Sequence, residues 1–359
     1  MRILRSSATI KAATAAVLGA LLATGAASGP SAAAPQTAAA AKSAAAQKAQ
    51  LRTVFTVGAK STVRYTRTSG YISAGYEMTF WQGSFLVGTL SGTYVESERL
   101  DVKSNTWKRQ WTIKATSATG AARGGVTSLV KVNCGRGSTA CTSTGPQTKH
   151  IRAGSSVTFG FNITSHGNKI LTHKPVLNVT TTAPGYLPVV GDVAALRTVR
   201  CDSEKITNGG KRGCVYPSVV PNFSISRTNR VWGEMARHVY TAERTLKGRP
   251  GHAKPLHRAI SAQATKNRGK SCPSSLHRPR GKQCDEYPYA SVQEGGGSKG
   301  LGKKCNTIDP NATQSCRMID KDANHKGGGQ LSKFYNDNRI IAYKFGNKII
   351  GDAFFSKIP

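Results

Sequence analysis

Asp285 and Glu286 stand side by side in the segment CDEYPYA, in a chain far richer in basic than in acidic residues. A carboxylate can take a proton from water or help to hold a cation. On a regular strand, neighbouring side chains point to opposite faces, so the two acids would not share one site. Pro288 follows closely and argues against a central strand. The pair is therefore expected at a strand end or in a loop, with one acid facing a cleft. Taken alone, the pair is explained more simply as two surface charges or as partners for nearby Lys and Arg.

Other residues add to this. Glu294 opens the turn Glu294-Gly295-Gly296, and Asn324 precedes Gly327 and Gly328. Asn324 could ligate a metal, cap a helix, or do both, because its side-chain oxygen serves either purpose. Lys299, Lys303 and Lys304 sit in the glycine-rich GGGSKGLGKK. Such a loop suits contact with a phosphate backbone without base readout, although each lysine alone is more simply a solvated side chain. Arg339 could brace a phosphate or form a salt bridge. His252 and His257 lie five apart and fit no zinc pattern. His325, beside Asn324, is a candidate second base. No Walker-type loop occurs.

The chain of 359 residues carries 51 Lys+Arg against 17 Asp+Glu, a formal net charge of +34. That excess is unfavourable for compaction and points to an anionic partner: nucleic acid, an anionic wall polymer or a membrane surface. Residues 241–359 hold 22 Lys+Arg and 9 Asp+Glu, so +13 lies there and +21 upstream. Either part could touch a polyanion.

Residues 1–34 read as a signal peptide, with Arg2, Arg5 and Lys11 ahead of a short apolar run and small residues. No stretch is convincing as a membrane span, and a secreted, extracellular protein is expected. Residues 35–50 are alanine-rich and read as a linker. The eight cysteines fit an oxidising compartment. Neighbour pairing is the simplest of many schemes: Cys134 with Cys141, Cys201 with Cys214, Cys272 with Cys284, and Cys305 with Cys316.

From Leu51 onward, short runs rich in Val, Thr and aromatics alternate with turn residues, among them YEMTFW, RQWTIKAT and SSVTFGFNIT. They predict an all-β, sandwich-like region over residues 51–230. After Asn229 the pattern changes. Met235, Val239 and Leu246 have helical spacing, and a second helix is predicted in GGQLSKFYNDN. The last segment reads as two strands around Gly346-Asn347. The fold class is therefore α+β, with a second domain over residues 235–359.

Asp285-Glu286-Tyr287-Pro288, then Glu294-Gly295-Gly296, then Asn324 with its glycines, together resemble the NucA/NucB family of secreted bacterial deoxyribonucleases. The resemblance covers the last third of the chain. It implies a small ββα-metal nuclease domain of the His-Me finger type. In that reading Asp285 is the base that activates water, Asn324 ligates one Mg²⁺ or Mn²⁺, and Glu294 is a further site residue, favoured over Glu286. Lys299, Lys303, Lys304 and Arg339 would contact substrate. DNA is the implied substrate, RNA stays open, and a monomer is expected. The competing reading is a non-catalytic secreted protein that binds DNA or anionic wall polymer by charge.

Overall fold

The computed structural model describes residues 51–359 except 135–140, 168, 194–195 and 297–304. The expected signal peptide and linker lie outside the described residues, as do Lys299, Lys303 and Lys304. Among the described residues no helix is long and apolar enough to cross a membrane.

The first part is built of strands. They are β1 (Leu51–Tyr65), β2 (Ser69–Gln82), β3 (Phe85–Arg99), β4 (Thr106–Gly120), β5 (Val126–Asn133), β6 (Cys141–Ser143), β7 (Gln147–Ile151), β8 (Ser156–Ser165), β9 (Leu171–His173), β10 (Val176–Thr182), β11 (Val189–Val193), β12 (Val199–Asp202) and β13 (Gly213–Val215). A six-stranded sheet runs β1-β2-β3-β4-β8-β6, and a four-stranded sheet runs β11-β10-β5-β7. Their inward rows meet in one apolar cluster. Strand β4 shows why: Trp107, Trp111, Ile113 and Ala115 recur every second or fourth residue and are all buried. Arg109 falls in the same row. It is buried as well, and its Nε donates to Glu96 Oε1 at 2.6 Å. A buried guanidinium is tolerated where a carboxylate answers it.

The second part begins earlier than the sequence suggests. Strand β14 (Asn222–Phe223) pairs in parallel with β20 (Ala353–Ser356), which also pairs with β15 (Leu256–His257). Phe223 and Ile225 belong to the second apolar cluster, with Val239, Tyr287, Ile319, Leu331 and Phe354. Asn222, Phe223 and Ile225, placed by the sequence in the β-rich region, thus pair or pack with elements of the second part.

Three helices are seen among the described residues: α1 (Gly233–Thr245), α2 (Ser261–Ser271) and α3 (Lys321–Asp337). Helix α2 has no strong apolar period and was not expected. It is held from outside, by Asn267 Nδ2 donating to Ala290 O at 3.0 Å and Val292 O at 2.8 Å. Strands β16 (Lys282–Tyr287) and β17 (Ser315–Asp320) form an antiparallel pair, and α3 follows at once. Strands β18 (Ala342–Phe345) and β19 (Lys348–Gly351) form the hairpin expected around Gly346-Asn347.

All four cysteine pairs are sequence-local disulfides: 134–141, 201–214, 272–284 and 305–316. The last two staple β16 and β17 to the loops beside them.

Candidate active site

A cleft of about 760 Å³ opens where β16 meets α2 and α3, lined among others by Asp285, Glu286, Asn324, His325, Arg258 and Arg268. Asp285 and Glu286 lie within β16 rather than in a loop, near its end at Tyr287. Both nonetheless line the cleft. The aromatic after them is an anchor: Tyr287 is fully buried, and its hydroxyl donates to Pro250 O at 2.7 Å.

Asp285 is 4% exposed. Its Oδ2 accepts from His238 Nδ1 at 2.6 Å. His238, on α1, is itself fully buried, and its Nε2 lies 3.0 Å from Ser315 Oγ. An ionised carboxylate only accepts, so Nδ1 carries the hydrogen. A neutral ring then accepts at Nε2 from the Ser315 hydroxyl. This chain fixes one oxygen of Asp285 and leaves Oδ1 without a protein partner among the described residues. Sequence reasoning did not single out His238. Its signal was its place on the apolar stripe of α1, three residues after Met235 and four before Ala242.

Glu286 is mostly buried, with its Oε1 3.6 Å from Arg268 Nε. Burial first, and the Asp285 charge second, push its carboxyl up to about 7, against the pull of Arg268. Glu294, preferred over Glu286 in the sequence, is not among the residues that line the cleft. It is a clamp on β15: Oε1 lies 2.6 Å from His257 Nδ1, and Oε2 accepts from His257 N at 2.9 Å. The glycines after it are steric. A Cβ at Gly295 would lie 2.4 Å from Tyr289 O, and Gly296 has φ +74°. The E-G-G turn therefore packs a backbone corner, and of the two glutamates it is Glu286 that lines the cleft.

Asn324 lies in the first turns of α3 but does not cap it. Asp320 is the N-cap, accepting from Asp322 N at 2.9 Å and Ala323 N at 3.1 Å. The helix starts earlier than the segment GGQLSKFYNDN in which it was expected, so Asn324 and Gly327 are inside it as well. Gly327 lets α1 approach, since a Cβ there would meet Met235 Sδ at 2.1 Å, whereas Gly328 and Gly329 line the cleft with open space around them. Asn324 Nδ2 donates to Cys284 O at 3.3 Å and Gln283 Oε1 at 3.4 Å. A carbonyl acceptor obliges the amide nitrogen to face the strand, so Oδ1 turns the other way and accepts no hydrogen bond among the described residues. A hard neutral oxygen on a cleft that two carboxylates also line fits a small divalent ion such as Mg²⁺ or Mn²⁺.

The sulfurs of Cys284, Cys305 and Cys316 also cluster, within 4.8 Å of one another. They belong to two disulfides side by side, so no thiolate is offered and the cluster is not a metal centre. Arg339, expected to touch substrate, is fully buried away from the cleft. Its Nε and NH2 donate to Asp202 Oδ1 at 3.0 and 2.6 Å, NH1 donates to Val102 O at 2.7 Å, and NH2 also donates to Lys211 O at 2.9 Å. Its donors are taken up by the β-rich part, which leaves no fork for a phosphate. His325 does line the cleft, while His252 pairs with Arg249 at 2.9 Å on the surface.

No curated protein matches the chain. Residues 235–345, which hold α1, the β16–β17 pair, α3 and the cleft between them, match the family model described as Deoxyribonuclease NucA/NucB, and it is to this family that the C-terminal third of the chain is similar.

Proposed function

We propose that the C-terminal part is a secreted, metal-dependent endonuclease that hydrolyses DNA phosphodiester bonds with little sequence specificity. The observation that carries the reading is Asp285: a buried carboxylate on a cleft wall, with one oxygen held by His238 and the other free. The family match supports DNA as substrate, and the four disulfides suit an extracellular setting.

Free Oδ1 of Asp285 takes a proton from a water in the cleft, and the water oxygen bonds to phosphorus as the P–O bond to the leaving oxygen breaks. The leaving oxygen regains a proton from solvent. His238 holds the carboxylate in orientation through this exchange, and Ser315 holds His238. Asn324 Oδ1, with Glu286 on the same cleft as a further oxygen donor, would hold the divalent ion. Bound there, the ion would offset negative charge on the phosphoryl oxygens.

The direct test is plasmid incubated with the mature protein and Mg²⁺ or Mn²⁺, with and without EDTA, beside Asp285→Asn. Cleavage that EDTA stops, and that falls ~10²–10⁴-fold in Asp285→Asn while DNA binding persists, is the expected result. Binding with no metal-dependent cleavage would leave a charge-based DNA-binding protein instead.

A further inference from the structure

Three arginines line the cleft: Arg258, Arg268 and Arg278. Two of them already have work within the protein. Arg268 lies against Glu286. Arg278 spends its donors on the carbonyls of Cys272, Pro273, Ser274 and Leu276 at 2.9–3.3 Å. Arg258 is different. It is largely buried, and among the described residues it has no carboxylate within ion-pair distance. NH1 donates to Ser291 O at 3.0 Å, the Tyr335 hydroxyl is the other polar neighbour, and Nε is buried without an acceptor. A buried cation without a counter-charge is unfavourable, and burial draws its pKa down from the usual arginine value.

Its position is nevertheless fixed. The guanidinium carbon lies 4.0 Å from the centre of the Tyr335 ring, and Tyr335 OH is 2.8 Å from Ser291 Oγ. Arg258 N donates to Asp352 O at 3.0 Å, and Arg258 O accepts from Gln293 Nε2 at 3.1 Å. The Glu294 clamp on His257 sits one residue before it. A planar fork held on an aromatic face, with no carboxylate within ion-pair distance among the described residues, is prepared for an anion arriving from the cleft.

We propose that Arg258 binds a phosphate of the DNA strand in the cleft, so that the substrate supplies the counter-charge the protein withholds. This rests on the nuclease reading, and Arg258 is a substrate-binding residue not singled out in the sequence. The E-G-G turn and Glu294 then position Arg258 rather than take part in the chemistry.

The test uses the full mature chain and a short duplex in EDTA, where nothing is cut, with affinity measured across a salt series. Arg258→Gln should lower the slope of log K against log salt by ~0.9, the value for one phosphate contact on duplex DNA. Arg258→Lys, which keeps the charge and most of the stem, should restore the slope. With metal added, Arg258→Gln should cut DNA at least ~10²-fold more slowly, because charge stabilisation at the phosphate is lost. A purely structural arginine would give a lower melting temperature in both variants and an unchanged slope in Arg258→Gln, which overturns the proposal. Should Arg258→Gln fail to fold, Arg258→Met, which keeps the stem without the charge, decides between the two: a slope lowered by ~0.9 supports the proposal and an unchanged one overturns it. Wild-type protein that binds but never cuts would refute the nuclease reading, whereas wild-type cutting with no slope change in Arg258→Gln refutes only this inference.

Discussion

His238 Nδ1 lies 2.6 Å from Asp285 Oδ2, a contact between residues 47 apart in the chain, made with His238 fully buried and Asp285 nearly so on the cleft wall. A carboxylate in such a place needs a donor, and the imidazole is the one seen. Replacing His238 by Leu should leave Asp285 buried and unsupported, at ~1–3 kcal/mol in stability. Cleavage should fall at least ~10-fold in kcat with little change in KM, because the base loses its orientation while the phosphate contacts stay. Asn at this position can still offer an N–H near where Nδ1 stood, so His238→Asn should recover part of kcat. Equal kcat in the Leu and Asn variants would show that the contact serves packing alone.

Asp320 performs the capping task that the sequence left open to Asn324, and in the proposed reading Asn324 keeps the metal. Asp320→Ala should lower stability by ~1 kcal/mol through loss of the N-cap, with the divalent-metal requirement unchanged. Asn324→Ala should do the reverse: a small change in melting temperature and a higher metal concentration for half-maximal cleavage. A metal titration that Asn324→Ala leaves untouched would place the ion elsewhere.

Glu243, on α1, is fully buried, and its Oε1 accepts from Ile358 N at 3.1 Å and from Arg244. Burial pushes its carboxyl up to about 7. A carboxyl with a raised pKa in the folded state stabilises the fold fully below its unfolded value of ~4.3, and that contribution is lost as pH rises through about 7. Stability should therefore decline between pH 5 and 8 by an amount on the order of 1–2 kcal/mol traceable to this residue. Glu243→Gln should flatten that part of the profile, read from melting temperatures across the range. An unaltered slope in the variant would mean that the carboxyl is already ionised at pH 5.

The strands were legible because their apolar residues repeat at two: Trp107, Trp111 and Ile113 announce β4 without help from the rest of the chain. Asp285 and Asn324 were legible only through a pattern of neighbours, and that pattern also carried Glu294, whose reason for being there is a backbone corner. Short-range patterns record geometry and chemistry together and do not separate them. His238, Arg258 and Arg339 were not legible in their present relations. Each acquires its meaning from a partner that only the fold supplies: Asp285, the cleft with Tyr335, and Asp202. Arg339 and Asp202 are 137 residues apart, and nothing local distinguishes a buried arginine from a solvated one.

That last pair also decides how the protein can be divided. Asp202 and Asp352 answer three arginines across the junction: Arg339 and Arg200 on Asp202 at 2.6 and 3.1 Å, and Arg200 and Arg67 on Asp352 at 2.6 and 2.5 Å. In the full chain these groups are buried, so Asp202→Ala strands a cation and should lower stability by ~3–5 kcal/mol. A fragment of residues 222–359 does not carry that penalty, because removal of the β-rich part opens the same arginine and aspartate to water. It keeps Phe223, Ile225 and the β14–β20 pairing. A fragment of residues 235–359 loses all three, and loss of one buried phenylalanine alone takes ~3–5 kcal/mol from a domain whose total is ~5–15 kcal/mol. Expressed with both local disulfides closed, the longer fragment should melt cooperatively and cut DNA, and the shorter one should show neither. A cooperative melt and cleavage from residues 235–359 would place the boundary at α1 and make Phe223 dispensable.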